Sequence, residues 1–78
     1  MAKRLNAVVL HTLERAGWRF VEAVDGGEVW VKYSRKLSIK PSGDHAGRFV
    51  WTVENELTGD FSFDAGVTES LCAFIVSL

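Results

Sequence analysis

Residues 18–34 of the chain read WRFVEAVDGGEVWVKYS, a pattern that predicts a β-hairpin. Residues 18–24 and residues 28–34 each alternate large apolar side chains with polar or small ones, a period typical of a β-strand. Between them, Asp25-Gly26-Gly27 predicts a tight turn, because glycine tolerates the positive φ that short hairpin loops require. Two strands joined by so short a turn run antiparallel, so the sequence predicts an antiparallel sheet.

The alternation also predicts which side chains of this hairpin share a face. In the second strand we expect Val29, Val31 and Tyr33 on one face, and Trp30 and Lys32 on the other, outer face. An aromatic ring and a lysine would then lie side by side in solvent.

Further strands follow the hairpin in the sequence. A bulge or tight turn is predicted at Arg35-Lys36, and alternation then continues over residues 36–40, 48–54 and 60–64, with loops between them. The large apolar residues of the last two strands are expected to face the core, and these are Phe49, Trp51, Val53, Phe61 and Phe63.

Helical periodicity appears at both ends of the chain. Residues 2–16 place Leu5, Val8, Val9, Thr12, Leu13 and Ala16 on one stripe, and Gly17 ends that helix. The last segment has a stripe of Val67, Leu71, Phe74, Ile75 and Leu78, with Asp64 or Thr68 as the expected N-cap.

These elements predict an α+β fold in the order α-β-β-β-β-(β)-α. We expect an antiparallel sheet of four to five strands, flanked by an N-terminal and a C-terminal helix that pack on its apolar face. At 78 residues, the chain is predicted to form a single domain, residues 1–78.

Composition points to a globular protein of a reducing compartment. Hydrophobic residues make up 47 % of the chain, yet no apolar run approaches the roughly 20 residues that span a bilayer. The single cysteine, Cys72, excludes an internal disulfide and a cysteine-based metal cluster. We therefore expect a cytoplasmic protein of a bacterial host cell, without a membrane segment.

Charge is distributed very unevenly along the chain. Up to Gly43 there are eight Lys and Arg residues against four acids, whereas from Asp44 onward there are six acids against one base, Arg48. The net charge of −1 conceals this asymmetry. An uneven charge distribution bears on partners and association rather than on fold.

No residue pattern in the sequence indicates catalysis. His11 lies on the polar side of the first helix, His45 follows Asp44 in a glycine-containing loop, and Cys72 flanks an apolar stripe. These residues show no nucleophile–base set, no metal-ligand spacing and no phosphate-binding loop. We predict that the chain is not an enzyme and that it binds no cofactor and no metal.

Two charged sets are candidate binding surfaces. The basic set, Trp30, Lys32, Lys36 and Lys40, would suit nucleic acid, with cations for phosphates and an aromatic ring for base stacking. The ordinary alternative is a solvated sheet face whose lysines prevent edge pairing. Because the chain as a whole is acidic, direct nucleic-acid binding is disfavoured.

The acidic set lies in the second half of the chain. Its carboxylates flank the last predicted hairpin and are expected to form one negative strip, in which Asp60 and Asp64 point away from Phe61 and Phe63. Such a strip would suit a basic protein groove that normally holds nucleic acid, and its ordinary alternative is a solubilising surface. The members of the strip are Glu54, Glu56, Asp60, Asp64 and Glu69.

The segment Leu13-Glu14-Arg15-Ala16-Gly17-Trp18-Arg19-Phe20-Val21 resembles the start of HicA-type mRNA interferase toxins. The resemblance covers about the first forty residues and implies an α-β-β-β-α plan like that of double-stranded-RNA-binding domains. Those toxins cleave RNA with a histidine after the first strand, where this chain has Asp25-Gly26-Gly27-Glu28. The second helix has Glu69 where a phosphate-binding lysine-rich start would be expected. The resemblance therefore implies RNA binding at most, without cleavage.

In size, architecture and charge the chain is similar to the small anti-CRISPR proteins of phages and mobile elements. That resemblance implies a noncatalytic inhibitor, a monomer or weak dimer, which binds a protein subunit of a nucleic-acid-binding effector complex and occludes its basic surface. The alternatives are an RNA-binding module of the HicA-like or double-stranded-RNA-binding type, and a phage structural or adaptor protein.

Overall fold

Five antiparallel strands follow one another between two helices, in a computed structural model that describes residues 6–24, 26–42 and 47–78. The strands lie in one sheet in the order β1-β2-β3-β4-β5, so each strand pairs with its neighbour in sequence. This confirms the predicted α+β class with five strands. The elements are α1 (Ala7–Arg15), β1 (Arg19–Val24), β2 (Gly27–Lys32), β3 (Arg35–Pro41), β4 (Arg48–Asn55), β5 (Phe61–Val67) and α2 (Thr68–Ser77).

The turn between β2 and β3 lies earlier than the sequence indicates. Lys32 pairs with Arg35, so Tyr33 and Ser34 form a two-residue loop, and the turn expected at Arg35-Lys36 is instead the start of β3. Tyr33 has a φ of 55°, a left-handed conformation that non-glycine residues rarely adopt. Because its side chain is 91 % exposed, it does not contribute to the core.

Both helices pack on the same face of the sheet, which we call the covered face. Cross-strand partners share a face, and the register aligns Trp30 with Leu37 and Ile39 with Trp51. The core cluster joins these side chains to buried residues of the two helices, which are Val9, Leu13, Leu71 and Ile75.

Trp30 lies on the covered face, contrary to the expectation that it faces outward. It is 2 % exposed, and its indole Nε1 donates a hydrogen bond of 3.0 Å to Oε1 of Glu28, itself a buried side chain. Val29 and Val31 occupy the opposite face. In an apolar run such as Val29-Trp30-Val31 alternation alone cannot decide the face, and the largest side chain takes the helix-covered side.

Helix α1 begins at Ala7, where the Asn6 side chain accepts a 3.0 Å hydrogen bond from the backbone N–H of Val9. This is a standard N-cap. The part of the predicted helix over residues 2–5 lies outside the described residues. Gly17 follows the helix with a φ of 91°, which confirms its predicted role in ending it.

Helix α2 follows β5 without a loop. Ser70 Oγ accepts a hydrogen bond of 2.9 Å from the Val67 N–H and lies 3.0 Å from the Val67 carbonyl oxygen. Val67 is the N-cap residue, so the expected caps at Asp64 and Thr68 were wrong. The Asp64 carboxylate instead accepts the N–H of Ala65 at 2.8 Å.

The other side of the sheet, which we call the open face, carries neither helix among the described residues. Its members follow from the cross-strand register. They are Arg19, Glu22, Val24, Gly27, Val29, Val31, Lys36, Ser38, Lys40, Arg48, Val50, Thr52, Glu54, Phe61, Phe63, Ala65 and Val67.

Candidate functional site

Phe61 and Phe63 lie side by side on the open face, and each is 65 % exposed. The sequence had placed both rings in the core, and that expectation was wrong. They stand at alternate positions of β5, an edge strand of the sheet. Two adjacent phenylalanines in solvent form the apolar centre of a candidate interaction surface.

A bulge in the β4–β5 turn accounts for this reversal. The Asn55 N–H donates to the Asp60 carbonyl at 2.8 Å, while the Asn55 carbonyl accepts from the Gly59 N–H, also at 2.8 Å. Gly59 and Asp60 therefore both lie opposite Asn55, and the extra residue on the β5 side shifts the register by one position. As a result Phe61 pairs with Glu54 and Phe63 with Thr52, instead of with the inward-facing Val53 and Trp51.

A groove of about 440 Å³ crosses the open face next to these rings. Apolar side chains, Val24, Val50 and Phe63, line it together with Lys40 and polar groups of β3 and β4. Because its lining runs from β1 to β5, the groove crosses the strands rather than following one of them. The surface is thus a mixed apolar and cationic depression with the β5 rings at one side.

All five residues of the predicted acidic strip are exposed, but they do not lie on one face. Glu54 is on the open face, directly across from Phe61, whereas Asp64 is on the opposite side of β5, across from Trp51. Glu56 and Asp60 belong to the β4–β5 turn, and Glu69 is in the first turn of α2. The carboxylates therefore form an acidic rim around the β4–β5 hairpin rather than a strip along one face.

Two of the acidic side chains also have local structural contacts. The Asp60 Oδ2 atom accepts a 2.9 Å hydrogen bond from the Thr58 hydroxyl, and Asp64 holds the Ala65 N–H. No hydrogen bond is seen for Glu54 or Glu56 side chains among the described residues. A charge change at Glu54 or Glu56 therefore breaks no side-chain hydrogen bond among the described residues.

The structure separates the residues of the predicted basic set. Lys36 and Lys40 lie on the open face, but Trp30 is in the core and Lys32 is on the covered side, with its Nζ 3.5 Å from the Leu78 carbonyl oxygen. The cations that share the open face with Lys36 and Lys40 are Arg19 and Arg48. Phe61 and Phe63, rather than Trp30, are the aromatic residues that share the open face with them.

A second groove, which the sequence did not indicate, lies at the end of α1. It measures about 410 Å³ and brings together three basic side chains, His11, Arg15 and Lys32. Lys32 reaches it from β2, and no spacing in the sequence links that residue to helix α1. This groove is on the covered side and is separate from the β5 surface.

The remaining chemistry candidates within the described residues do not form a cluster. Cys72 is half-buried against the core, and the Thr12 hydroxyl lies 3.5 Å from its sulfur. Asp44 and His45 lie outside the described residues. Within residues 6–24, 26–42 and 47–78, no three His, Cys, Asp or Glu side chains are arranged to hold a metal ion.

Comparison with known proteins found no family model, no curated protein and no solved structure that matches this chain. In the part of the chain that the structure describes, neither helix is long and apolar enough to cross a membrane.

Proposed function

We propose that the chain is a noncatalytic protein-binding module whose contact surface is the β4–β5 hairpin and the adjoining open face. The observation that carries this proposal is the exposed pair Phe61 and Phe63, rimmed by carboxylates. Interfaces commonly consist of an apolar or aromatic centre surrounded by a polar rim, in which the centre supplies most of the affinity.

The acidic rim indicates the character of the partner. Glu54 lies across from Phe61 on the open face, and further carboxylates lie at the turn and on the other side of the same hairpin. A basic partner surface would complement these charges and be attracted to them at long range. Basic surfaces of that kind commonly hold nucleic acid. The chain would then act in the cytoplasm as an inhibitor that occludes such a surface on a subunit of an effector complex, as anti-CRISPR proteins do.

Charge reversal on the hairpin tests this proposal. We expect the tagged wild-type chain, expressed in bacteria, to capture basic nucleic-acid-binding proteins that the polyanion heparin releases. The variant Glu54→Lys/Glu56→Lys should lose at least about tenfold of that captured protein, because both substitutions repel a basic partner. Quantitative mass spectrometry measures the loss.

A matched control changes the same number of charges elsewhere. Ala7 and Glu14 on α1 and Ala73 on α2 are exposed and are not on the open face. The variant Ala7→Lys/Glu14→Lys/Ala73→Lys changes the net charge by the same amount and should capture as much as the wild type. Circular dichroism checks that both variants are folded. Equal capture by all three chains, or capture of proteins that heparin does not release, would contradict the acidic-rim proposal.

One observation favours a second candidate function, the binding of single-stranded RNA. Lys36, Lys40 and Arg48 share the open face with the two rings, and exposed aromatics between cations on an antiparallel sheet form a stacking platform. A gel shift with a single-stranded RNA of about 20 nucleotides at low salt tests this candidate. If it is correct, Phe63→Ser weakens the shift and added salt abolishes it.

A further inference from the structure

The two edges of the sheet differ in how well they are protected against pairing with another strand. Strand β1 has a register irregularity between Phe20 and Glu22, and bulges of this kind disrupt edge pairing. Strand β5 pairs with β4 in unbroken register over Phe61–Val67. It contains neither proline nor lysine, the residues that commonly protect edges. The β5 edge is therefore the more open of the two.

The ladder shows which backbone groups point out from that edge. Asn55 bonds to Asp60, and hydrogen-bonded pairs alternate with non-bonded pairs along an antiparallel ladder. Ser62 and Asp64 therefore direct their N–H and C=O groups toward β4. The groups of Phe61, Phe63 and Ala65 point away from it, toward the free edge.

At one end of this edge, the backbone N–H groups already have hydrogen-bond acceptors nearby in the chain. Ser70 Oγ already accepts the Val67 N–H, and the Asp64 carboxylate accepts the Ala65 N–H. Among the described residues, the N–H and C=O groups of Phe61 and Phe63 and the carbonyl of Ala65 have no hydrogen-bond partner in β4 or elsewhere. The accessible part of the edge is thus centred on Phe63.

We propose that β5 pairs antiparallel with β5 of a second copy of this chain, about a two-fold axis at Phe63. In this register Phe63 faces the partner copy's Phe63 as a hydrogen-bonded pair, and Phe61 faces the partner copy's Ala65. Two bonds between the Phe63 residues and two from Phe61 N–H groups to Ala65 carbonyls form without any rearrangement. The result is a continuous ten-stranded sheet with an isologous interface.

Side-chain chemistry selects this register over its two neighbours, whose axes lie at Ser62 and Asp64. An axis at Ser62 would place Asp60 opposite the partner copy's Asp64, which is unfavourable. An axis at Asp64 would place the two Asp64 carboxylates directly opposite each other, which is unfavourable. An axis at Phe63 instead places Asp64 opposite the partner copy's Ser62, whose hydroxyl can donate to the carboxylate. On the open face the same axis brings the two Phe63 rings together, an aromatic cross-strand pair.

This inference is independent of what the open face binds, although the dimer would join two open faces into one surface. A monomeric chain could still capture a basic protein, and a dimer could form without capturing one. Self-association measured with the purified chain therefore succeeds or fails separately from the capture experiment.

A disulfide placed on the axis tests the register. In a Cys72→Ala background, Phe63→Cys should form a disulfide-linked dimer in a glutathione redox buffer, because Cα atoms of a hydrogen-bonded pair are about 5.5 Å apart, within disulfide range. Phe61→Cys is the matched control. Its two copies would be roughly 14 Å apart, four residues along the strand, and should remain largely unlinked.

Sedimentation equilibrium of the wild-type chain gives the second readout. We expect a monomer–dimer equilibrium that Phe63→Lys weakens roughly tenfold or more, since it removes the ring pair and opposes two charges. Tyr33→Lys, at a 91 % exposed residue of the β2–β3 turn, should leave it unchanged. A chain that stays monomeric at the highest attainable concentration, or equal cross-linking at positions 61 and 63, would overturn the proposal.

Discussion

At Gly59 the backbone has a φ of 77°, and no atom of the described residues lies within 4 Å of the position that a Cβ atom would occupy there. The residue is therefore required for its conformation alone, not for lack of space. That conformation produces the bulge opposite Asn55, and the bulge turns Phe61 and Phe63 to the open face. The exposure of the proposed contact surface thus depends on the backbone of one turn residue.

Two substitutions of Gly59 test whether the turn requires a positive φ at this residue. Gly59→Asn should leave the free energy of unfolding within about 0.5 kcal/mol of the wild type, because asparagine tolerates the left-handed region. Gly59→Val should lower it by roughly 1–2 kcal/mol, because a β-branched side chain is strained there. Urea denaturation measures both. Equal stability of the two variants would show that the turn does not need a positive φ.

At the scale of elements, sequence periodicity predicted the order of helices and strands but not the face of every side chain. Phe49 and Trp51 of β4 alternate with polar or β-branched residues, and both are buried as predicted. The face of β5 depends on the extra residue in the preceding turn, which the spacing of apolar residues does not reveal. Trp30 lies between two valines, so alternation alone could not predict whether Trp30 or the valines face the core.

In the helices too, features set by the local sequence were predictable, whereas features set by tertiary packing were not. The stop of α1 at Gly17 follows from local chemistry and was predictable. The exposure of Val8, at 60 %, was not, because it depends on how α1 is rotated about its axis against α2 and the sheet. Likewise, the start of α2 is fixed by Ser70 and by direct continuation from β5, not by the expected side-chain caps.

In the whole molecule, the acidic and basic residues that are separated in the sequence lie on different surfaces. The described acidic residues of the second half lie around the β4–β5 hairpin, whereas His11, Arg15 and Lys32 line a groove on the covered side. The open face itself is mixed, since Lys36 lies directly across from Glu54. The exposed rings distinguish the β4–β5 region from an ordinary solvated acidic surface.

The most direct test of this account compares two exposed apolar residues in the capture experiment. Phe61, at 65 % exposure, is in the proposed contact surface, and Val8, at 60 %, is on α1. Because neither is buried, Phe61→Ser and Val8→Ser should both keep the wild-type circular dichroism spectrum and nearly the wild-type Tm. We predict that Phe61→Ser loses the heparin-released basic proteins while Val8→Ser retains them. Retention by Phe61→Ser, or equal loss by both variants, would contradict the assignment of the contact surface to β5 and the open face.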